Sequence, residues 1–473
     1  MFSQLAYRRE QSRLPPLNYS LVIRRFLPTV LLALAGAAAS GVLAPHEKSA
    51  VLDHLAGFPD SHAFAHHMRP AVLSTMCFIP AMIALYYSLV RALDRYLIRQ
   101  FLISFALCFG GLYGVWGILD LTENISEFQK SADTRGLVGR YYLITFAPVF
   151  VQMAPFGLLL ALLHSLGKLS KAQEVVSMIQ TGRGIARLIL PLTVIGLFAS
   201  LACLGFNYQW APWAQEYKDT LIDEVDSEAS NKAENVPFFH KKSGRFWLVG
   251  VFPYNYNVGE PLRNIVIRTS NEKHMPQWRL EATEAHWNRD SGEWTFHGVK
   301  ITHLDEIISP DGSLMPRYEN PDGPIVFKDW PETPWRLIKP GLQAEHLGIP
   351  DLYSWILSNQ NTEWINKERF LTQWHYRWAQ PAICLAIVLL AAPLGISFSH
   401  RGAGGGVVLA IFLSAGMMFS SAVFLSLGES NKISPIWAAW GTNLCAFLIA
   451  IVLIQRRLVG RPIFQTLKKL LPN

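Results

Sequence analysis

Charged residues are scarce in this sequence of 473 residues, since Asp, Glu, Lys and Arg together make up only 16% of it. Hydrophobic residues make up 51%, an excess that is not typical of a wholly soluble protein. Cysteine is scarce too, with five residues that all lie in long apolar stretches. The polar part of the chain therefore has neither a disulfide framework nor a cysteine-based zinc site.

A nucleotide-binding loop is also missing. The segment His164–Leu169 contains Gly-Lys but lacks the earlier glycine and the following hydroxyl residue that would hold phosphate and metal. No Ser/His/Asp or Cys/His arrangement stands out. We therefore predict a protein that is not an enzyme, with no catalytic residues, cofactor or metal, and we assign any ATP hydrolysis to another polypeptide.

The sequence is instead rich in apolar stretches of about 19 to 24 residues, the length that crosses a bilayer as a helix. They predict a membrane α-helical bundle of about eight transmembrane helices. The stretches are Phe26–Ala44, Ala71–Val90, Phe101–Leu119, Leu143–Leu166, Leu188–Phe206, Trp378–Phe398, Val407–Leu427 and Ile436–Ile454.

The basic residues predict the orientation of the chain. With the amino terminus in the cytoplasm, 18 Lys and Arg residues lie inside, against 7 in the short outer segments. Both termini are then cytoplasmic, and the large polar interval Tyr208–Trp374 lies outside the cytoplasm. That interval holds 17 basic and 24 acidic residues, so the net charge of +7 belongs to the membrane flanks and does not indicate nucleic-acid binding.

Within the polar interval, apolar and polar residues alternate as in strands. The predicted strands are Arg245–Phe252, Arg263–Arg268, Trp278–Trp287 and Glu293–His303, with a bulge at Gly298, and Leu347–Gln360 is predicted to be helical. Short aromatic-rich strands of this kind indicate an all-β sandwich or jelly roll. We expect the apolar side of the sheet to carry Phe246, Leu248, Trp294, Phe296, Val299 and Ile301.

A short amphipathic helix is predicted between the fourth and fifth spans. Ser170–Gln173 matches a capping box, and Gly182 suits the left-handed residue that ends a helix. The apolar stripe consists of Ala172, Val175, Val176 and Ile179, with Glu174 on the polar side. Such a helix either docks into a partner protein or lies on the membrane surface, and the periodicity alone favours the second interpretation.

Two groups of polar residues near the membrane have both a functional and an ordinary interpretation. His62 and His66 are four residues apart in a histidine-rich outer loop, a spacing that suits a metal, although histidine is common in loops and we assign no metal site there. Asp120 and Glu123 end the third span and are expected to be solvated rather than to form a proton-coupled pair. The linker Pro45–Pro70 is expected to be only loosely structured.

With this layout, the chain resembles the LptF/LptG family of lipopolysaccharide export permeases from roughly Leu93 to Gln455. The segments that carry the resemblance keep the family's order and spacing. They are Leu93–Arg99, Gln173–Gly182, Trp278–His286, Trp294–His297, Trp378–Arg401 and Pro435–Asn443.

The resemblance implies a six-helix permease half with an inserted periplasmic jelly roll, which accepts the acyl chains of lipid in an apolar groove. The six apolar sheet residues named above are the candidates for lining this groove. It also implies a cytoplasmic ATPase dimer, a second permease half, periplasmic jelly-roll bridge proteins and lipopolysaccharide as partners. Residues 170–183 become the ATPase-coupling helix, with Glu174 as its acidic contact. The expected domains are residues 1–92, a two-helix extension outside the usual six; 93–207; 208–374, the β domain; and 375–473. A membrane-embedded lipid-modifying enzyme and a lipid-binding scaffold remain the alternatives.

Overall fold

The computed structural model describes residues 19–57, 62–130, 134–182, 184–223, 231–240, 244–253, 260–270, 276–288, 291–304, 316–328, 330, 332–338, 343–358, 367–396 and 404–458. The helices before the sheet are α1 (Tyr19–Gly57), α2 (Ala63–His67), α3 (Arg69–Leu89), α4 (Ala92–Lys130), α5 (Thr134–Lys171), α6 (Glu174–Gln180), α7 (Ile185–Tyr208) and α8 (Trp210–Asp223). Those after it are α9 (Pro334–Ile338), α10 (Ile349–Ser358), α11 (Lys367–Ala379), α12 (Ala382–Gly395), α13 (Gly404–Glu429) and α14 (Pro435–Leu458).

Within the described residues, seven helices are long and apolar enough to cross a membrane, and the bent pair α11 and α12 adds an eighth if it crosses as one span. The sixth predicted span is thus broken, with an angle of 49° between its two parts. Pro381 stands at the break, where it cannot donate a main-chain hydrogen bond. The coarse prediction of a helical membrane bundle with an inserted β-sheet region is confirmed.

The two amino-terminal spans are α1 and α3, which pack against each other along their length. The expectation of a loosely structured linker at Pro45–Pro70 is wrong, because α1 continues through Pro45 to Gly57. Three residues of this continuation, Glu47, Val51 and His54, share one face of the helix. Val51 is fully buried, and the other two pair with polar groups of later segments. Tertiary contacts therefore hold the helix together past the proline.

The core of the bundle is built by α5, α7 and α12, whose facing sides carry buried small and branched residues such as Leu158, Leu162, Leu188 and Ile387. Cys203 on α7 and Cys384 on α12 lie in this interface as free thiols, with their sulfurs 3.7 Å apart. In a water-soluble protein, burial of one such side chain stabilises the fold by on the order of 1.5–3 kcal/mol. In a bilayer the lipid is itself apolar, so close packing of the side chains holds the helices together instead.

The polar interval forms one antiparallel sheet of eight strands. They are β1 (Asn231–His240), β2 (Arg245–Pro253), β3 (Leu262–Ser270), β4 (Pro276–Asn288), β5 (Glu293–His297), β6 (Lys300–His303), β7 (Arg317–Glu319) and β8 (Ile325–Phe327). Neighbours follow the order β1-β2-β3-β4-β5-β8, while β6 pairs with β4 and β7. A finer classification as a jelly roll stays a prediction.

The last predicted strand, Glu293–His303, is divided into β5 and β6 at Gly298. This glycine has a φ of 61°, in the left-handed region that L side chains rarely adopt, and a Cβ there would collide with Thr283. The predicted change of register is confirmed: Trp294 and Phe296 are buried before the glycine, and Val299 is buried after it. β4 is long enough to pair with β5 and β6 in turn.

Candidate functional site

The short helix α6 lies at the end of the bundle where α5 turns into α7. Val175 and Met178 are buried in the bundle core, and Ile179 packs against it at half burial. Val176 is half-buried, whereas Ala172 is exposed and precedes the helix. The buried face of α6 is therefore formed by Val175, Met178 and Ile179, and Ala172 is not part of it.

The start of α6 differs from the predicted capping box. Helix α5 runs on to Lys171 because Leu169 and Ser170 are buried in the bundle, so Ser170 is not free to cap α6. Gln173 precedes α6 in a left-handed conformation, with a φ of 60° and no side-chain cap. The predicted end is correct: Gly182 has a φ of 86°, and its N–H donates to the carbonyl of Ile179 at 2.9 Å.

Glu174 occupies the first turn of α6 and is half-buried. Its carboxylate interacts electrostatically with the hydroxyl of Tyr96, near the start of α4. Tyr96 is itself 42% exposed, so this pair lies at the surface of the bundle. A partner that contacts Glu174 would therefore meet α4 and α6 together.

A cavity of about 490 Å³ lies between α5, the junction of α7 and α8, and α11 to α13. Its wall carries Gln152, Asn207 and Gln380, and the span prolines Pro148 and Pro155 also line it. Asn207 donates to the side-chain oxygen of Gln380 at 2.8 Å. A volume of this size suits a single small ligand or part of a lipid, and a lipid with several chains needs more room.

A second cavity, of about 800 Å³, lies between the amino-terminal extension and the rest of the bundle. Its lining is mostly apolar and includes Met68 and Met76 on one side and Leu201, Tyr353 and Trp378 on the other. Sequence reasoning did not find it, because its walls come from segments almost 300 residues apart.

Asp120 is only 5% exposed, so the prediction that it is solvated is wrong. It accepts a hydrogen bond from the hydroxyl of Tyr141 at 3.0 Å, and the ammonium of Lys218 on α8 lies 3.8 Å from the same oxygen. Glu123 is exposed and takes no part in this cluster. The pair Asp120–Glu123 is thus not formed. A lysine from a later helix, which no local pattern signals, neutralises the buried carboxylate instead.

The apolar face of the sheet carries four of the six residues predicted for it. Trp294 and Phe296 are fully buried and Val299 is nearly so, while Ile301 packs against them at half burial. Ile301 lies opposite Leu280, in a row that continues through Ile267 to Trp247. The interior is filled by the rings of Trp247, Trp294, Phe296, Phe327 and Trp330.

Phe246 and Leu248 do not lie on that face, and their placement there is corrected. Trp247 and Val249 of the same strand are the fully buried residues, and alternate residues point to opposite sides of a strand. Leu248 pairs with Val266, which in turn lies opposite Glu281, so its side of the sheet is mixed in polarity.

One margin of the sheet interior is closed by a buried carboxylate, Glu332. Both of its oxygens accept hydrogen bonds from Arg245, at 2.9 and 3.0 Å, and His240 lies 3.3 Å away. The indole N–H of Trp294 donates to the main-chain carbonyl of Glu332 at 2.7 Å. The guanidinium of Arg245 also lies over the ring of Trp330, 4.4 Å from its centre. These groups hold the segment after β8 against the core.

In the histidine-rich outer loop, the rings of His62 and His66 have different partners. The Nδ1 of His62 accepts from the N–H of Ala65 at the start of α2, whereas His66 is fully buried. Beside His66 lie His54 of α1 and Asp351 of α10. Burial raises the pKa of the Asp351 carboxyl, but His54, His66 and Arg69 outweigh it and bring that pKa below the usual value, so Asp351 is a carboxylate at neutral pH.

A family model described as lipopolysaccharide export system permease LptF/LptG matches residues 95–456. The chain belongs to the LptF/LptG family. The predicted resemblance is therefore confirmed over more than three quarters of the sequence. None of the curated proteins compared with the chain matches it.

The LptF/LptG match begins within α4 and ends within α14, so it takes in the loop helix α6, the 490 Å³ cavity and the whole β-sheet. Helices α1 to α3 precede it. Members of the LptF/LptG family are permeases of lipopolysaccharide export, and with the apolar helices this makes the chain a multi-pass inner-membrane permease.

Proposed function

We propose that this chain is one transmembrane half of an ABC-type exporter that extracts lipopolysaccharide from the inner membrane and passes it to a periplasmic β-jelly-roll bridge. The observation that carries this proposal is the family match over residues 95–456, which contains α6, α7 and the sheet in this order. Helix α7 has 24 residues and is about 36 Å long, enough to cross a hydrocarbon core of about 30 Å. α6 and the sheet then face opposite aqueous sides, with α6 in the cytoplasm according to the distribution of basic residues.

In this proposal α6 is the element that meets a cytoplasmic ATPase dimer, which supplies the ATP hydrolysis that this chain does not perform. Val175 and Met178 anchor α6 in the same core that contains α5 and α7. Because packed interiors transmit displacement rather than absorb it, a push on α6 moves both neighbouring helices. The exposed Ser177 and Gln180 and the Glu174–Tyr96 pair remain accessible to the ATPase. The packing of Val175 and Met178 into the bundle core supports this role over that of a helix lying on the membrane surface.

The lipid path in this proposal runs from the bundle to the sheet. A second permease half, either a paralogue or another copy of this chain, completes a transmembrane cavity, since the cavity of about 490 Å³ between α5, α7 and α11 to α13 is too small for a lipid with several acyl chains. Acyl chains then enter the sheet interior beside Trp294, Phe296, Val299 and Ile301. Their entry displaces the segment around Trp330 and Glu332, which covers the rings of the core.

The test is the charge reversal Glu174→Lys in the complete complex, with Glu123→Lys as the matched control. Glu123 is an exposed acidic residue on α4, beyond the end of its predicted apolar span and far along the helix from Tyr96. We expect Glu174→Lys to reduce co-purification of the ATPase and lipopolysaccharide-dependent ATP hydrolysis at least about tenfold, the loss that corresponds to one charged contact of about 1.4 kcal/mol. Glu123→Lys should leave both unchanged.

Lipid binding separates this function from its alternatives. Glu174→Lys should retain lipopolysaccharide in the purified complex, because the sheet and the cavity are untouched. Unaltered ATPase recruitment and export in the Glu174→Lys strain would instead support a lipid-binding scaffold. A change in lipid mass caused by the purified chain without any ATPase would support a lipid-modifying enzyme.

A further inference from the structure

Three side chains from distant parts of the sequence converge at the contact between the amino-terminal extension and the rest of the chain. The Nε2 atoms of His54 and His66 lie 3.4 Å and 3.7 Å from the same oxygen, Oδ1 of Asp351. All three potential ligand atoms lie within 4.8 Å of one another. The two imidazole rings are stacked, with their centres 4.4 Å apart, so that both present a nitrogen to the one carboxylate.

The two distances from Oδ1 of Asp351 to the histidine nitrogens, 3.4 Å and 3.7 Å, are close to those between ligands of a tetrahedral metal site. Zinc binds histidine nitrogen and carboxylate oxygen at about 2.0 to 2.2 Å, and two ligands at a tetrahedral angle are then separated by about 3.4 Å. A pair of imidazoles with one carboxylate is a ligand set that suits zinc and related divalent transition metals rather than calcium or magnesium.

We propose that His54, His66 and Asp351 bind one divalent transition-metal ion, preferentially zinc, which ties α1 and α2 of the extension to α10. Three protein ligands leave a fourth position for water. The proposal is independent of the export function, because it concerns a contact between helices and requires neither lipid nor ATPase.

The surroundings of the three residues support a cation at this place. The other oxygen of Asp351, Oδ2, accepts a hydrogen bond of 2.8 Å from the amide of Gln209, which fixes the orientation of the carboxylate as outer partners do in metal sites. The nearby charge of Arg69 is balanced by Glu47, whose carboxylate lies 2.5 Å from its guanidinium.

A competing explanation is a cluster that holds together by hydrogen bonds alone. The Nε2 of His66 also lies 3.3 Å from the hydroxyl of Ser354, which can accept its proton. In that case the two histidines, Asp351 and Ser354 form a hydrogen-bonded cluster, and no stoichiometric metal is present. The two explanations differ in the metal content of the purified protein.

The experiment measures zinc in the full-length chain, purified in detergent, stripped with a chelator and then dialysed against Zn²⁺. We expect about one equivalent of bound zinc in the unmodified protein and almost none in His54→Ala and Asp351→Asn, with zinc affinity lower by at least about 100-fold. His67→Ala is the matched control, since His67 neighbours His66 but is exposed, and it should bind zinc as the unmodified protein does.

Two further measurements distinguish loss of zinc binding from loss of the fold. Replacement of zinc by Co²⁺ should give visible absorption bands of a four-coordinate nitrogen and oxygen site, and these bands should be absent in Asp351→Asn. Added zinc should also raise the melting temperature of the unmodified protein and of His67→Ala but not that of His54→Ala, because a ligand stabilises only the fold that binds it. The absence of stoichiometric zinc from the unmodified protein would overturn the proposal, as would equal binding by His54→Ala.

Discussion

The hydroxyl of Ser200 on α7 donates a hydrogen bond of 2.8 Å to the main-chain carbonyl of Pro381, in the gap between α11 and α12. Two residues earlier, the carbonyl of Ala379 accepts from the side-chain amide of Asn443 on α14, at 2.7 Å. A break in a membrane helix frees main-chain carbonyls that the bilayer cannot hydrate. Two neighbouring helices therefore donate hydrogen bonds to main-chain carbonyls at the break.

Replacement of Ser200 by Ala should destabilise the bundle by about 0.5–1.5 kcal/mol, because the carbonyl of Pro381 then keeps only the longer hydrogen bond from the N–H of Cys384, at 3.2 Å. The measurement is thermal unfolding in detergent. The control is Thr193→Ala, which removes a hydroxyl that bonds only within its own helix, to Ile189. Equal effects of the two substitutions would show that Ser200 does not support the break. Asn443→Ala should add its own effect, since it serves a different carbonyl.

Glu332→Gln should destabilise the sheet by on the order of 3 kcal/mol, because Arg245, whose side chain is only 16% exposed, loses its counter-charge. Glu332 is fully buried, and Arg245 binds both of its oxygens. The measurement is the loss of tryptophan fluorescence on denaturant unfolding. The control is Glu293→Gln, which affects a pair with the exposed Lys328 and should shift the transition by less than about 1 kcal/mol. A shift as small as that of the control would contradict the proposed role of Glu332.

Much of the fold follows from the sequence because its signals are local. Apolar stretches long enough to cross a bilayer correctly predicted the membrane helices, and Gly298 correctly predicted the interruption of the last long strand. β2 was less informative, since RFWLVGVF is apolar on both faces and its alternation does not tell Phe246 from Trp247. The rest depends on tertiary contacts, which no local pattern signals. Ser170 is buried in the bundle, so α5 continues past the predicted capping box, and His54 contacts Asp351, which lies almost 300 residues later in the sequence.

A photo-crosslinking residue should capture lipopolysaccharide at position 296 but not at position 246. Both positions are phenylalanines in the sheet, which makes them a matched pair. Phe296 is fully buried in the aromatic interior, whereas Phe246 lies on the opposite face. Crosslinking in cells, followed by immunoblotting for lipopolysaccharide, measures the difference. Capture only at position 246 would place the lipid on the opposite face of the sheet. Equal capture at both positions would contradict a lipid path confined to the aromatic interior.

Gly182→Ala should weaken the end of α6 by about 1–2 kcal/mol, the cost of a left-handed residue with a Cβ. A Cβ at this position meets no atom within 4 Å, so the effect is on the backbone alone. The expected outcome is a folded complex with reduced lipopolysaccharide-stimulated ATP hydrolysis. Gly184→Ala provides the comparison, since Gly184 has an extended conformation with a φ of −66° and also has open space around it. Identical activity of the two variants would contradict a role for the Gly182 turn.

Helix α4 does not stop at Asp120 but continues for ten residues to Lys130, about 15 Å beyond the end of its apolar stretch. Helix α5 returns beside it, and α8 packs against α5. The three helices thus pack into one unit that extends past the apolar stretch of α4. The length of this unit sets a minimum distance between the end of that stretch and the segments that follow α8.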